Sequence, residues 1–426
     1  MGRHLVPATI LAATLAFAVA ALTAGLVPYR GWWWNPAVRL AVVGGITPMI
    51  YAVNIRIVPV FSRRNWRSET LLRAQIILTV AGAWLLFFGG TERNRDVVTT
   101  GVLLAWVGGV LFLVNTFALF RQEPLKNRPA PPLPYPEHRA IDKIATRFTS
   151  LSGLFILLGL SIGVYVQLWP PRTGRWDLVW AHTMLVGFFL SMVSGVCYHV
   201  LARWTGHPWQ SLRLIQIHFY VTLIALPLML IALATNDQTL FSYAGPIQGL
   251  ALWLFLWNIA PMVWRMTGPT RIALVLAIAA LLAGVFLGAM FAGHPVVGVH
   301  YRIVHADLNL FGWTGLLISG VAYYLVPRFF GRPLRWPRLA AIQVGLLAAG
   351  ITASALAWTW RIEKGGASDL ITASQSVVAI GFVLLGVIVS GTLAFGKSKS
   401  GQATVSAVPM VKQFKRPQPP LQPTGN

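Results

Sequence analysis

The chain has 426 residues, 56% hydrophobic and only 11% charged, with a mean hydropathy of +0.65. This balance excludes a soluble globular domain, because apolar runs of about 20 residues, the length of a helix across a bilayer core, recur along the whole sequence. The formal net charge of +23 would suit nucleic acid in a soluble protein but is distributed topologically here, and the lone Cys197 excludes an internal disulfide, an iron–sulfur cluster and a thiolate zinc site.

The hydropathy pattern predicts an all-α polytopic membrane bundle of twelve spans, near 5–28, 38–60, 70–90, 97–120, 148–169, 178–202, 213–234, 241–264, 271–293, 303–327, 338–360 and 374–396. The opening "MGRH" followed by an apolar run resembles a signal peptide, and "AVA" at 18–20 would serve for cleavage. The run is longer than a usual signal core, so the first span is read as an uncleaved helix. Spans 1–4 form an N-terminal membrane segment, residues 1–120. A basic, Pro-rich linker follows at 121–147, beginning "RQEPLKNRPAPPLPYPEHR", whose prolines favour extended backbone. The other eight spans fill 148–396. The tail, 397–426, is polar and basic and is expected to be disordered, in reach of anionic lipid. With both termini in the cytoplasm, the inside segments carry 23 Lys and Arg and the outside ones 9, with Arg56 and Arg73 near the inner ends of spans. That split follows the positive-inside rule and sets the expected orientation.

One internal similarity stands out. Set without gaps, "WAHTMLVGFFLSMVSGVCYHVLARWTGHPW" (180–209) and "HADLNLFGWTGLLISGVAYYLVPRFFGRPL" (305–334) agree at ten of thirty positions, and both end in Tyr, Arg and Gly-x-Pro. Spans 6 and 10 are thus expected to be equivalent elements of a repetitive bundle.

Of eleven acids, only Asp307 lies within an apolar segment, so the carboxylates of a proton relay are missing. The nine histidines separate by depth. His4 and His138 fall in the N-tail and the linker, and His207 in a loop. His294 and His300 fall in the loop before span 10. His182 and His305 lie at one depth, just inside the outer ends of spans 6 and 10, while His199 and His218 lie nearer the inner side. A single intramembrane imidazole serves most simply as a hydrogen-bonding residue. Two at one depth on equivalent helices point instead to a metal that brings its own equatorial ligands, as haem does.

The stretch "HYRIVHADLNLFGW…GVAYYLVPRFFGRP" resembles the tenth helix of the haem–copper oxidase catalytic subunit, nearest the C-type oxidases and the nitric oxide reductase large subunit. "HTMLVGFFLSMVSGVCYHVLAR" is similar to that family's sixth helix, and "SLRLIQIHFYVTL" to the start of its seventh. The resemblance covers roughly 150–335. It implies that His305 is the axial ligand of one b-type haem and that His300 lies near a haem propionate or only holds its loop. Asp307 would stand where the low-spin haem ligand is lost, pairing with Arg302 or His300 or capping the start of span 10. His182 would be a remnant of the non-haem metal site, with His218 matching a histidine of the C-type members and His199 an available but deeper imidazole. It further implies a bacterial cytoplasmic membrane and partners among cytochromes or other respiratory-chain subunits.

The departures shape the functional expectation. The adjacent His-His pair of the seventh helix is absent from "PLMLIALAT" (227–235), and span 2 carries no histidine. One haem b is therefore expected, copper is not, and a second haem is not. The first reading is a haem-binding membrane protein that takes a diatomic gas, nitric oxide or oxygen, in a sensing, sequestering or assembly role. The alternatives are a divergent terminal oxidase or nitric oxide reductase, an oxidoreductase whose missing ligands come from elsewhere, and a cofactor-free accessory subunit or transporter.

Overall fold

The structure, a computed structural model, describes residues 5–395; His4 and the tail expected to be disordered lie outside them. Among the described residues there is no strand, and twelve helices are long and apolar enough to cross a bilayer. They are α1 (Leu5–Gly25), α2 (Gly31–Ser62), α3 (Glu69–Thr91), α4 (Arg95–Phe120), α5 (His138–Leu168), α6 (Trp176–Thr205), α7 (Leu212–Thr235), α8 (Gln238–Trp264), α9 (Gly268–Gly293), α10 (Pro295–Phe330), α11 (Pro337–Lys364) and α12 (Ser368–Ala394). Large apolar side chains such as Ile77, Phe117, Leu154, Ile224 and Leu356 stay exposed around the outside, as a lipid-facing belt requires. Short connections make successive helices antiparallel, so both ends of the described chain lie at one face, termed here the near face, opposite the far face.

Local sequence sets the ends of the helices. Ser68, Asn94, Ser211 and Asp237 cap their helices by accepting backbone N–H groups, for example Leu71 N to Ser68 Oγ at 3.1 Å and Leu240 N to Asp237 Oδ1 at 2.9 Å. Several helices begin earlier than hydropathy predicts, α5 and α10 by the most. α5 starts at His138 rather than near 148, which shortens the linker to 121–137 and takes His138 out of it. Its first turns are polar in composition yet bury Ile141, Ile144, Ala145 and Phe148 on one face, and this amphipathic spacing escapes a hydropathy window. α10 starts at Pro295, a residue suited to the first helical position. His300 is therefore inside α10, not in the loop before it.

α2, α6 and α10 are the most buried of the twelve and form the centre of the bundle. Each carries a π-helical segment, at Leu40–Ile46, Thr183–Leu190 and Leu308–Trp313. Each segment is followed by a hydroxyl residue that bonds the carbonyl five residues back: Thr47 to Val42 (3.0 Å), Ser191 to Val186 (3.5 Å) and Thr314 to Asn309 (3.0 Å). Each helix also ends on a left-handed residue, Arg63, Gly206 or Gly331. The similarity between spans 6 and 10 thus extends to a third member, α2, one every four helices.

Around this centre the outer helices pair tightly. A Cβ at Gly82 of α3 would come within 2.6 Å of Ala105 N on α4, so these backbones meet as only small residues allow. α1 returns to α12, where the rings of Phe17 and Phe382 stack at 4.8 Å and Thr372 Oγ1 donates to Gly25 O at 2.7 Å, closing the ring of helices.

Candidate functional site

A cavity of about 950 Å³ opens in the far half of the bundle, walled chiefly by α2 and α6–α10. Both predicted ligands line it. His182 enters from α6 directly before that helix's π segment, and His305 enters from α10 three residues before its own. π segments shift the register of the side chains that flank them, and they recur at functional sites.

The two rings face one another with centroids 6.4 Å apart and planes 24° from parallel. Each is held by its Nδ1. His182 Nδ1 lies 2.8 Å from Leu178 O, and His305 Nδ1 lies 2.8 Å from Gly284 O on α9. A carbonyl only accepts, so both Nδ1 atoms carry the hydrogen and both Nε2 atoms keep a free lone pair. This is the arrangement by which metal-ligating histidines are fixed. The His305 ring lies against α9 where the helix is bare, since a Cβ on Gly288 would sit 2.9 Å from His305 Cε1. Phe291 meets the ring edge-on at 5.5 Å.

The charge of the wall was not foreseen. Four arginines, Arg39, Arg175, Arg302 and Arg361, line the cavity against one carboxylate, Asp177. Arg361 donates to Ser368 Oγ (2.6 Å) and Arg175 to Asn236 Oδ1 (2.9 Å). Among the described residues no salt bridge is formed by any of the four. Cationic groups around an apolar chamber rich in tryptophan suit an amphipathic ligand with carboxylates at one end. Where the seventh helix of the family would bring imidazoles, α7 brings Met229 and Leu233 to the wall.

The remaining predicted residues lie elsewhere. Asp307 is fully buried and turned away from the cavity towards α11 and α12. It pairs with neither Arg302 nor His300 and caps nothing; it lies twelve residues into α10 and accepts from Gln375 Nε2 at 2.6 Å, which also donates to Ser354 Oγ at 2.8 Å. His300 is exposed and donates from Nδ1 to Val296 O of its own helix at 2.7 Å, outside the cavity wall. His218 sits in the near half, where its Nδ1 shares a hydrogen bond with the Tyr198 hydroxyl (2.9 Å), which also accepts from Asn258 Nδ2 (3.1 Å). His199 Nδ1 bonds Asp142 Oδ1 at 2.9 Å, and the same carboxylate receives Arg203 through both terminal nitrogens at 2.9 and 2.8 Å. His138 lies 3.3 Å from it, and Arg203 reaches back to Pro132 O. This cluster pins the linker to α6; beside it, burial pushes the Tyr135 phenol up from its ordinary pKa. Among the described residues no three His, Cys, Asp or Glu side chains converge to hold a metal ion without further ligands.

The donor set therefore fits haem: a chamber of the right order of size, apolar and aromatic walls, imidazole lone pairs inside, and arginines on the wall. It does not fit a protein-only metal centre.

Comparison with known proteins agrees with the architecture. No protein-family model matches the chain. It is 30% identical over 185 residues, 39% of its length, to a cytochrome c oxidase subunit 1 homolog of Agrobacterium tumefaciens (strain T37), and 27% identical over 206 residues, 44% of its length, to cytochrome c oxidase subunit 1 of Rhodobacter capsulatus. These matches span 33% and 38% of those relatives' own lengths. Its fold matches a haem–copper terminal oxidase known as a dimer, with a TM-score of 0.68 and 13% identity, over 94% of this chain and 86% of the other. The class is thus a twelve-helix membrane bundle with an internal cavity. The chain is a haem–copper oxidase subunit I-like protein.

Proposed function

We propose that the chain is an integral membrane b-type haem protein that holds one haem in the far-half cavity through His305 and binds a diatomic gas, nitric oxide or oxygen, in a sensing, sequestering or assembly role. The observation that carries this reading is the pair of facing imidazoles, each with Nδ1 committed to a carbonyl and Nε2 free. When bound, the haem would supply an iron centre to which such a gas adds.

Each residue of the chain then has a task. The Gly284 carbonyl fixes the His305 tautomer, and Gly288 leaves room for its ring. Arg39, Arg175, Arg302 and Arg361 line the cavity and would be available to the carboxylates of the cofactor. The ring of His182 is not remote. Its centroid lies 6.4 Å from that of His305, so His182 would border the space into which a gas binds.

A turnover enzyme is supported less well. Reduction of oxygen needs a second metal and a supply of electrons. α7 offers Met229 and Leu233, α2 brings Arg39 rather than an imidazole, and Asp307 is engaged by Gln375. The same reading places the protein in a bacterial cytoplasmic membrane with both termini inside, on the 23 to 9 charge split, and among respiratory-chain subunits or cytochromes.

An optical spectrum with metal analysis tests the proposal. The purified protein should show a Soret band and about one iron per chain. His305→Ala should abolish haem retention, while His182→Ala should keep the haem and bind carbon monoxide faster. No Soret band after expression with added haem, or full haem content in His305→Ala, would overturn the reading. One tightly held copper per chain would favour the oxidase alternative.

A further inference from the structure

The four arginines of the cavity wall are not alike. Arg175 stands at the start of α6, held by Asn236, and Arg361 near the end of α11, held by Ser368 and by the Gly366 carbonyl at 3.1 Å. Arg302 is exposed. Arg39 is half-buried and lies inside α2, about 12 Å from the start of that helix at 1.5 Å per residue. Among the described residues its guanidinium forms no hydrogen bond and no ion pair, and Asp177, the one carboxylate of the wall, is exposed.

The repeat of the central helices sets where this side chain enters. Arg39 and His182 each stand 24 residues before the left-handed residue that ends their helix (39 to 63 and 182 to 206). Each directly precedes the π segment of its helix. Asp307 holds the same place on α10 (307 to 331) but turns away to Gln375. The π segments of α2 and α6 pack together, and both Arg39 and His182 line the cavity. Arg39 is therefore the counterpart of His182 on the neighbouring helix, and it enters on the His182 side of the chamber.

Charge adds the second argument. A haem carries two carboxylates, and with Asp177 they make three anions against four guanidinium groups. The cation left over is the one without a partner, and an unpaired charge is costly inside a membrane. Ferric haem iron also keeps a net positive charge within its dianionic ring. One anion on the open face of that iron would answer both charges. His182 Nε2 offers only a lone pair, so hydrogen bonds to such an anion must come from Arg39.

We propose that Arg39 and His182 frame a site for a small monovalent inorganic anion on the iron face opposite His305, with Arg39 as the group that holds it. The proposal rests on haem binding at His305 and extends the ligand class from neutral gases to anions that ligate ferric iron.

The test uses the intact, haem-loaded protein with azide, fluoride and carbon monoxide as probes. In Arg39→Met the ratio of azide affinity (ferric) to carbon monoxide affinity (ferrous) should fall about 10–100-fold, the factor of one hydrogen bond to a charged group. Arg39→Lys should recover part of the fall, because it keeps the charge and loses the planar fork. In the wild type the iron–fluoride stretch should shift between H2O and D2O, since the donor protons exchange, and this shift decides if Arg39→Met fails to fold or to hold haem. An unaltered ratio beside a normal Soret band, or no isotope shift of bound fluoride, would overturn the proposal and leave haem at His305 standing. Lowered haem retention in Arg39→Met with an unaltered ratio would assign Arg39 to the cofactor's carboxylates instead. Absence of a Soret band in the wild type would overturn the haem reading and this site with it.

Discussion

Gly288→Ala probes the placement of His305 without touching it. An ideal Cβ at 288 would lie 2.9 Å from His305 Cε1 and 3.4 Å from Nδ1, whereas ordinary contact is 3.4–4 Å. The ring must therefore retreat by about 0.5 Å, since a packed helix pair yields little. That retreat carries the 2.8 Å bond from Nδ1 to Gly284 O past the roughly 3.2 Å at which such bonds fail. Losing it costs about 0.5–1.5 kcal/mol. Alanine for glycine within a helix returns up to about 1 kcal/mol, so net stability should hardly move. Ligand affinity behaves differently, because loss of the partner that orients a metal-binding histidine typically weakens binding about 10–100-fold. Haem titration followed at the Soret band, beside thermal unfolding, should show weakened haem binding on an intact fold. Gly249→Ala is the control: it lines the same cavity from α8, and its Cβ meets only Val285 at 3.6 Å and Ala289 at 3.8 Å. Wild-type haem affinity in Gly288→Ala would refute the placement of His305 as ligand, and equal losses in both variants would mean that cavity filling, not ring displacement, is the cause.

Other outcomes follow from the same geometry. Arg203→Met strands Asp142 beside His138 and His199 and should destabilise by about 3 kcal/mol, with Asp142→Asn in the same chain recovering part of it; thermal unfolding of the double-mutant cycle measures this. Asp307→His should give no six-coordinate low-spin spectrum, because the new ring meets Gln375 and Ser354 rather than the cavity, and Asp307→Asn should keep both the Gln375 bond and the haem content; absorption spectra of the two variants decide. Reporter fusions within 121–137 should be active only on the cytoplasmic side, and activity outside would reverse the orientation drawn from loop charge.

How much of this could be read from the chain depended on which signals are local. A span of apolar residues is local and loud, so all twelve helices were legible, while the start of α5 was not, because its first turns are polar in composition and helical only by spacing, and the start of α10 was not, because it opens on Pro295 and Gly298. That His182 and His305 would come together on one cavity was legible through equal depth on two similar helices. The surroundings of Asp307 were not, because its partner Gln375 is 68 residues away and hydropathy says nothing about which face of a helix meets which neighbour. The third repeat stayed hidden because Arg63, not glycine, holds the left-handed position that ends α2. The arginines of the cavity wall did leave a trace. Arg39, Arg175, Arg302 and Arg361 are all among the nine cations on the side of the membrane where the charge rule leaves few. Orientation alone disfavours them there, so their retention calls for a local partner, and a single carboxylate, Asp177, cannot serve four guanidinium groups. Cations that run against the topological bias are thus a reading of the sequence in their own right: in this bundle they mark the chamber that an anionic ligand would complete.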